Sequence, residues 1–297
     1  MAAMDSTMTP MLIDADRLRR ACLLAFDDAD VGGTTRVGRD GTPRIDPGQW
    51  RVVEEIGSTN QELMALPFGD DGPAPPRLLV AWRQLAGRGR RGRAWSSLPE
   101  ASLMFSIAFE RIAPPMPPIG WPIVAGVGIA EALLGWAPDI GLKWPNDPQR
   151  QGRKCGGILA ETRRQAAGDR ALERVVTGIG LNLLPDPERD ARVGQPTIGL
   201  FDGPLPASVS REDVVARVFA ALWREWRSFV DHGFGDHAAR WAPFDTLRGR
   251  EVAVIDNGQT LYAGVADGLD ETGALRVIDD GQVRIVAVGD VSVRRVA

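Results

Sequence analysis

Apolar residues recur along this chain at intervals that change twice, first from a helical spacing to short strand-like runs and later to closely spaced strands alone. Residues 14–26 carry apolar positions at helical spacing behind Asp14, which predicts one short amphipathic helix with Asp14 as its cap. The glycine- and threonine-rich stretch from Gly32 to Pro47 reads as loop. From Trp50 the pattern shortens to apolar runs at 50–56, 77–82, 102–110, 140–144, 156–161 and 174–181, each the length of a strand. Helices separate some of them. Ser58 and Thr59, followed three residues later by Gln61 and Glu62, give overlapping capping-box signals for a helix to about Leu66. Further helices are predicted over 121–136 and 211–230, the latter from Val214, Val215, Val218, Leu222, Trp226 and Phe229.

Past Leu247 only strand-like runs remain, at 251–255, 260–266, 274–279, 283–288 and 291–296, punctuated by Asn257-Gly258 and Asp280-Gly281 turns. About fifty such residues suggest a small barrel. The expected fold is α/β of the α+β kind with a mixed sheet, divided into an extension (1–47), a main domain (48–247) and the small barrel (248–297).

Composition narrows the classes. The 297 residues suggest about two domains at ~150 residues each. A net charge of −4, 44% hydrophobic and 25% charged residues fit an ordinary globular protein, not a disordered chain or one coated for nucleic acid. The longest apolar stretch, 123–130, ends at Glu131, well short of the ~20 residues a membrane-spanning helix needs. Asp5, Asp14 and Asp16 near the N-terminus oppose a secretory signal. Cys22 and Cys155, the two cysteines, form no disulfide framework or zinc pattern, so a reduced, cytoplasmic protein is expected.

Only two of the 35 basic residues are lysine, Lys143 and Lys154; the rest are arginine. Arginine cannot replace a compact, rotatable ammonium, so the two surviving lysines mark positions of interest. His232 and His237, the two histidines, lie far from them in the sequence, which disfavours histidine-based nucleophilic or metal chemistry.

Three segments carry candidate chemistry. Gly87-Arg88-Gly89-Arg90-Arg91-Gly92-Arg93 joins three glycines, which permit close backbone approach, to four guanidinium forks suited to phosphate or carboxylate. Unliganded, these charges repel, so a mobile loop that orders around an anion is expected. Lys143-Trp144-Pro145-Asn146-Asp147 and Arg153-Lys154-Cys155-Gly156-Gly157 read as strand, turn and strand, with Asn146 and Asp147 on the bend and the glycines beside Lys154. Gly178-Ile179-Gly180-Leu181-Asn182 ends an apolar strand on a polar side chain. Neither a Walker A nor a Rossmann fingerprint is present, so a bound nucleotide requires another fold.

In order and spacing, Ser58-Thr59-Asn60, Gln84 to Trp95, Lys143 to Asp147, Lys154 to Leu159 and Gly178 to Asn182 resemble the motifs of biotin protein ligases across roughly residues 50–183. The last fifty residues resemble that family's SH3-like barrel, with Gly289-Asp290-Val291-Ser292-Val293-Arg294 similar to its closing strand. The resemblance implies a class II aminoacyl-tRNA synthetase-like catalytic domain. It also implies a two-step reaction: biotin and ATP, with Mg²⁺, give biotinyl-5′-AMP, and a lysine of a biotin carboxyl carrier domain, such as that of acetyl-CoA carboxylase, takes the biotinyl group.

The resemblance further implies residue roles. Ser58, Thr59, Asn60 and Gln84 would meet the biotin head, with Arg88, Gly89, Arg90, Lys154 and Gly157 completing that site. Gly87, Arg88, Arg90, Arg91, Arg93, Trp95, Lys143, Asn146, Lys154, Asn182 and Arg294 would serve ATP and the adenylate, Asn182 also standing near the Mg²⁺. No protein cluster would hold a metal by itself. Lys154 and Arg90 would act in catalysis. Asp147 either orients and deprotonates the carrier lysine or caps the turn. Leu85 and Cys155 depart from the family's pattern; Cys155, beside Lys154, suggests a site sensitive to thiol reagents.

A lipoate ligase or lipoyl transferase is the nearest alternative, disfavoured by the arginine-glycine loop. A non-catalytic biotin sensor would have no use for Lys154, Arg88 and Arg90 together. Residues 1–47 are short for the winged-helix domain of bifunctional members and lack a basic recognition helix, so a monofunctional ligase without DNA binding is expected. Exposed sheet edges could pair two chains.

Overall fold

All six strand runs expected between residues 50 and 181 form strands, most of them longer than the apolar pattern because their polar ends continue the pairing. The computed structural model describes residues 13–26, 44–70, 72–95, 98–113, 119–167, 170–256, 258–287 and 291–295. In chain order its elements are α1 (Ala15–Ala25), β1 (Trp50–Ile56), α2 (Thr59–Ala65), β2 (Arg77–Gln84), β3 (Ser102–Ile112), α3 (Trp121–Leu133), β4 (Ile140–Lys143), β5 (Asp147–Arg150), β6 (Arg153–Lys154), β7 (Gly156–Ala167) and β8 (Arg170–Asn182). There follow α4 (Arg189–Val193), α5 (Arg211–His232), α6 (His237–Trp241), β9 (Glu251–Asp256), β10 (Gln259–Leu269), β11 (Leu275–Asp279), β12 (Gln282–Val286) and β13 (Val291–Arg295). Most of the glycine-rich stretch up to residue 43, Asn257 of the first barrel turn, and Gly289-Asp290 lie outside the described residues.

The main sheet runs β1-β2-β3-β8-β7, parallel only between β1 and β2. Period-two alternation assigns its two faces. Leu103, Phe105, Ile107 and Phe109 of β3 and Val175, Ile179 and Leu181 of β8 join the large core under α3 and α5. Trp121 closes that core, donating Nε1–H to Thr177 Oγ1 at 2.8 Å and meeting Trp226 edge-on at 5.1 Å between ring centroids. Ser210 and Asp213 start α5 with a capping box that the sequence reading did not identify. α1 belongs to this core too: Leu18 and Cys22 are buried, and Phe26 meets Phe219 at 5.0 Å.

The opposite face of the main sheet is graded. Glu110 of β3 and Arg174 of β8 stand directly opposite each other; next come Ala108 and Val176 beneath Leu63 of α2; beyond them lie Ser106, Gly178 and Gly180. α2 runs to Ala65 with Leu66 as its C-cap, the extent its capping signals suggested. Ser58 is its N-cap, while Thr59 is already helical and turns its hydroxyl inward, and Glu62 pairs with Arg51 instead of closing a box.

β9 to β13 form a separate five-stranded antiparallel sheet in the order β12-β11-β10-β9-β13, the barrel region the sequence suggested. It is docked by Trp144, whose buried Nε1–H donates to the Gly273 carbonyl at 3.1 Å, so the turn before β5 is tied to this region. Two α-helices escaped the sequence reading, α4 and α6, each five residues and too short to show a period, as did the four-residue strand β5. No helix among the described residues is long and apolar enough to cross a membrane.

Candidate active site

One face of β8 sets out the site. Val176, Gly178, Gly180 and Asn182 point the same way, so successive sites along the strand differ only in what each side chain leaves room for. A Cβ on Gly178 would lie 2.3 Å from Asn60 Oδ1, and one on Gly180 would lie 2.4 Å from the Trp95 indole. Gly157 of β7 is registered opposite Gly180, and its added Cβ would also strike Trp95, at 2.9 Å. The glycines therefore make a floor without side chains. From Gly178 to Asn182 this floor extends ~13 Å at a strand's rise of ~3.3 Å per residue. Above it lies a cleft of about 810 Å³.

At the α2 end, the Thr59 backbone N–H donates to Gln84 Oε1 at 2.8 Å, which ties the helix start to the end of β2. Ser58, Thr59 and Asn60 are all buried and all line the cleft. Asn60 is heavily committed: its Nδ2 donates to Glu161 Oε2 at 2.8 Å and to the Leu159 carbonyl at 3.2 Å.

At the other end, the small sheet β4-β5-β6 folds the lysine motifs back on each other, with Lys143 registered against Asp147. Trp144–Pro145 is a cis peptide, and Asp147 is the first residue of β5 rather than part of the bend. Lys154, the last residue of β6, is held at its root by both backbone groups. Its N–H donates to the Pro196 carbonyl at 3.1 Å, and its carbonyl accepts from Ile198 at 3.0 Å and from Asn182 Nδ2 at 3.2 Å. Its Nζ reaches Asp147 Oδ1 at 2.6 Å and lies 5.6 Å from the centroid of the Trp95 ring. Trp95 thus stands beside the ammonium on the glycine floor, with its buried Nε1 left without a partner.

The arginine-glycine segment arches over this arrangement as a tight loop, the Gly89 N–H donating to the Arg93 carbonyl at 2.8 Å. Arg91 takes a left-handed φ of 58°, and its guanidinium faces Asp256 of β9 at 3.6 Å. Arg90 donates to Asn146 Oδ1 at 3.3 Å, and Arg88 lies 4.0 Å from Glu161. The loop's positive charge therefore has acceptors of its own in the protein. Burial still draws the Arg90 guanidinium below its ordinary value; Asp147 opposes this, while Arg91 and Arg93 add to it. An anion among these groups would relieve that strain in charge.

Every residue expected at the site lines this one cleft except Gly87. Gly87 sits behind it: its carbonyl accepts from the Trp95 N–H at 2.9 Å, and its missing side chain lets the Trp95 carbonyl come close. Arg294 reaches the cleft from β13, so the barrel contributes to its wall. A stretch that the sequence did not single out, Arg189 to Thr197, forms the wall beside Lys154; the five-residue α4 and the loop after it are too short to give a periodic signal. Ser106 and Glu161, also unnoticed, look like ordinary strand residues until their hydrogen bonds are known. Among the described residues, no group of three or more histidine, cysteine or carboxylate side chains is placed to hold a metal ion.

Cys155 corrects an expectation. It is fully buried, and burial pushes its thiol up to about 12, so at pH 8 roughly one molecule in ten thousand carries the reactive thiolate. Iodoacetamide at pH 8 is therefore expected to leave turnover intact, measured as pyrophosphate release. Rapid inactivation that disappears in Cys155→Ala would show the thiol to be accessible after all.

Residues 52–182 match the model of the Biotin/lipoate A/B protein ligase family, and residues 248–294 match that of the Biotin protein ligase C terminal domain. The chain is 32% identical over 256 residues to the bifunctional ligase/repressor BirA of Escherichia coli K12, covering 84% of this chain and 76% of that protein. It is 31% identical over 253 residues to the biotin–(acetyl-CoA-carboxylase) ligase of Mycobacterium tuberculosis, covering 82% of this chain and 89% of the relative. The structure of a biotin protein ligase from Aquifex aeolicus in complex with biotin and ATP is similar with a TM-score of 0.65 and 25% identity, covering 84% of this chain and 99% of that one.

Proposed function

For a chain that belongs to the biotin/lipoate A/B protein ligase family and is a biotin protein ligase, we propose that biotin lies along the glycine floor of β8, with its ring end at Thr59 and its carboxylate at Lys154. The observation that carries this layout is the order of the stripe. A polar pocket at Gly178, the flat Trp95 indole laid over Gly180 and an ammonium at Asn182 follow one another as a two-ring head, an aliphatic chain and a carboxylate do.

The enzyme works in two steps. A carboxylate oxygen of biotin attacks the α-phosphorus of ATP, and pyrophosphate leaves. The amine of a carrier lysine then attacks the acyl carbon of biotinyl-5′-AMP, and AMP leaves. In the first step Lys154 draws the two anionic reactants together and stabilises the charge that builds on the α-phosphate. Arg88, Gly89 and Arg90 close over the carboxylate and phosphate, and Arg91, Arg93, Lys143, Asn146 and Arg294 complete the anionic end. Trp95 stacks beside the junction of the two substrates. Asp147 holds Lys154 at 2.6 Å before ATP arrives and is the base nearest to hand for the incoming carrier amine.

ATP enters as its Mg²⁺ complex, the ion arriving with the substrate. Asn182 commits its Nδ2 to the Lys154 carbonyl and keeps its amide oxygen, a hard donor of the kind Mg²⁺ takes. The acceptor in this reading is the carrier domain of acetyl-CoA carboxylase or a related carboxylase in the cytoplasm. The reading includes no sequence-specific DNA binding, and a salt-sensitive shift of an operator-like duplex would overturn that part. Pairing of two chains through an exposed edge of the main sheet, β1 or β7, is the homodimer it allows.

Biotin-dependent pyrophosphate release from ATP, with lipoate as control and a carrier domain added second, tests the reading. Release with lipoate alone would overturn it. A sharper test is Arg90→Gly, which removes a charge-assisted clamp of ~1.5–3 kcal/mol. The adenylate should escape roughly 10- to 100-fold faster and label lysines of a bystander such as serum albumin. Labelling confined to the carrier would refute the clamp.

A further inference from the structure

Behind the head-group end of the cleft, four polar side chains are packed too closely for their protons to be placed freely. Thr59 Oγ1 lies 2.6 Å from Ser106 Oγ and 3.1 Å from Gln84 Oε1. Ser106 Oγ lies 2.6 Å from Asn60 Oδ1, and Ser106 is fully buried. Two hydroxyl protons must serve three oxygen–oxygen contacts. Two oxygens at 2.6 Å with no proton between them repel, so the protons belong to the two short contacts. The orientation of the Asn60 amide is fixed independently, because its Nδ2 meets two acceptors, Glu161 Oε2 and the Leu159 carbonyl. Its oxygen must then face Ser106. One arrangement satisfies all of this: Thr59 donates to Ser106, Ser106 donates to Asn60, and Asn60 donates to Glu161.

We propose that Ser106 and Glu161 are positioning residues that lock Thr59 as a hydrogen-bond acceptor toward the cleft and so select a cyclic-urea N–H. Neither touches the cleft space itself; both act through Thr59 and Asn60. With its proton committed inward, Thr59 Oγ1 offers only lone pairs outward. A ring N–H satisfies it, whereas a ring oxygen or a dithiolane sulfur does not. Glu161 ends the relay and also faces Arg88 at 4.0 Å, so the pocket and the closing loop share one carboxylate. The proposal rests on biotin being the substrate.

The test uses the purified full chain, with biotin and the two isomeric carbamate analogues in which one ring N–H is replaced by oxygen. The readout is kcat/KM for pyrophosphate release with each. The wild-type protein should prefer biotin over one of the analogues by roughly tenfold or more, because a buried acceptor is left facing a lone pair. Ser106→Ala releases the Thr59 proton to divide between Gln84 Oε1, at 3.1 Å, and the ring oxygen, and the preference should fall by roughly fivefold or more. Glu161→Leu lets the Asn60 amide turn over, which reverses the relay and occupies a Thr59 lone pair, so the preference should fall there too. Glu161→Gln still presents an acceptor and should retain it. The KM for ATP should be unchanged in Ser106→Ala, which separates lost polarity from lost folding.

An unchanged preference in Ser106→Ala, with biotin and analogues weakened equally, would overturn the relay while leaving the ligase reading intact. Failure of the wild-type chain to release pyrophosphate with biotin would remove the ligase reading and this proposal with it.

Discussion

Lys154→Arg is expected to slow biotin-dependent pyrophosphate release by roughly 100-fold or more, although it keeps the charge. The reason is geometric. Both backbone groups of Lys154 are pinned, by Pro196 and Ile198, so the root of the side chain cannot retreat to admit a longer one. Its Nζ is wedged between Asp147 Oδ1 at 2.6 Å and the Trp95 ring at 5.6 Å. A planar guanidinium must either push past Trp95 or pair side-on with Asp147, and in neither pose does it offer a point charge to two anions at once. Pyrophosphate release and transfer to a carrier should fall together. A loss of less than about threefold would remove Lys154 from the chemistry and leave it a structural partner of Asp147.

Arg174→Met should have the largest effect on stability. Arg174 is fully buried, with Nε 2.9 Å and Nη2 2.5 Å from Glu110 Oε1. Its remaining protons go to the carbonyls of Leu63 at 3.1 Å, Leu66 at 2.6 Å and Pro67 at 2.6 Å, which are the last acceptors of α2 and the residues just beyond it. Methionine leaves Glu110 charged in the interior with Arg77, at 3.3 Å, as its remaining ion pair, and leaves the end of α2 uncapped. The cost should be ~3–5 kcal/mol, or roughly 10 °C in melting temperature. Because α2 carries Ser58, Thr59 and Asn60 at its other end, the KM for biotin should rise as well. Adding Glu110→Leu should restore much of the stability, since a buried pair removed whole costs far less than one broken. A melting point within 2 °C of the parent for Arg174→Met alone would show that water reaches Glu110.

These two residues mark how far the sequence could be read. Lys154 stood out because lysine is almost absent from the chain and because glycines follow it. Arg174 did not, being one arginine among many in an apolar strand, and its burial follows from a cross-strand register that only the folded sheet defines. The same holds for Ser106, a single small hydroxyl in an otherwise apolar run. The strands of the main sheet were legible as short apolar runs because β2, β3 and β8 are buried on both faces along most of their length. The wall from Arg189 to Thr197 was not, because it is held by contacts distant in sequence, the Lys154 backbone above all. The arginine loop announced its attraction for anions but not its internal partners, since Glu161 and Asp256 lie far from it along the chain.

Both lysines of the chain line the cleft, and every other basic side chain is a guanidinium. Acyl-adenylates acylate amines, whereas a guanidinium stays protonated and is a poor nucleophile. An adenylate that slips past the arginine loop therefore finds no lysine on the exterior of the enzyme that made it. In a crowded solution the released biotin would mark neighbouring proteins and leave the exterior side chains of its source clean.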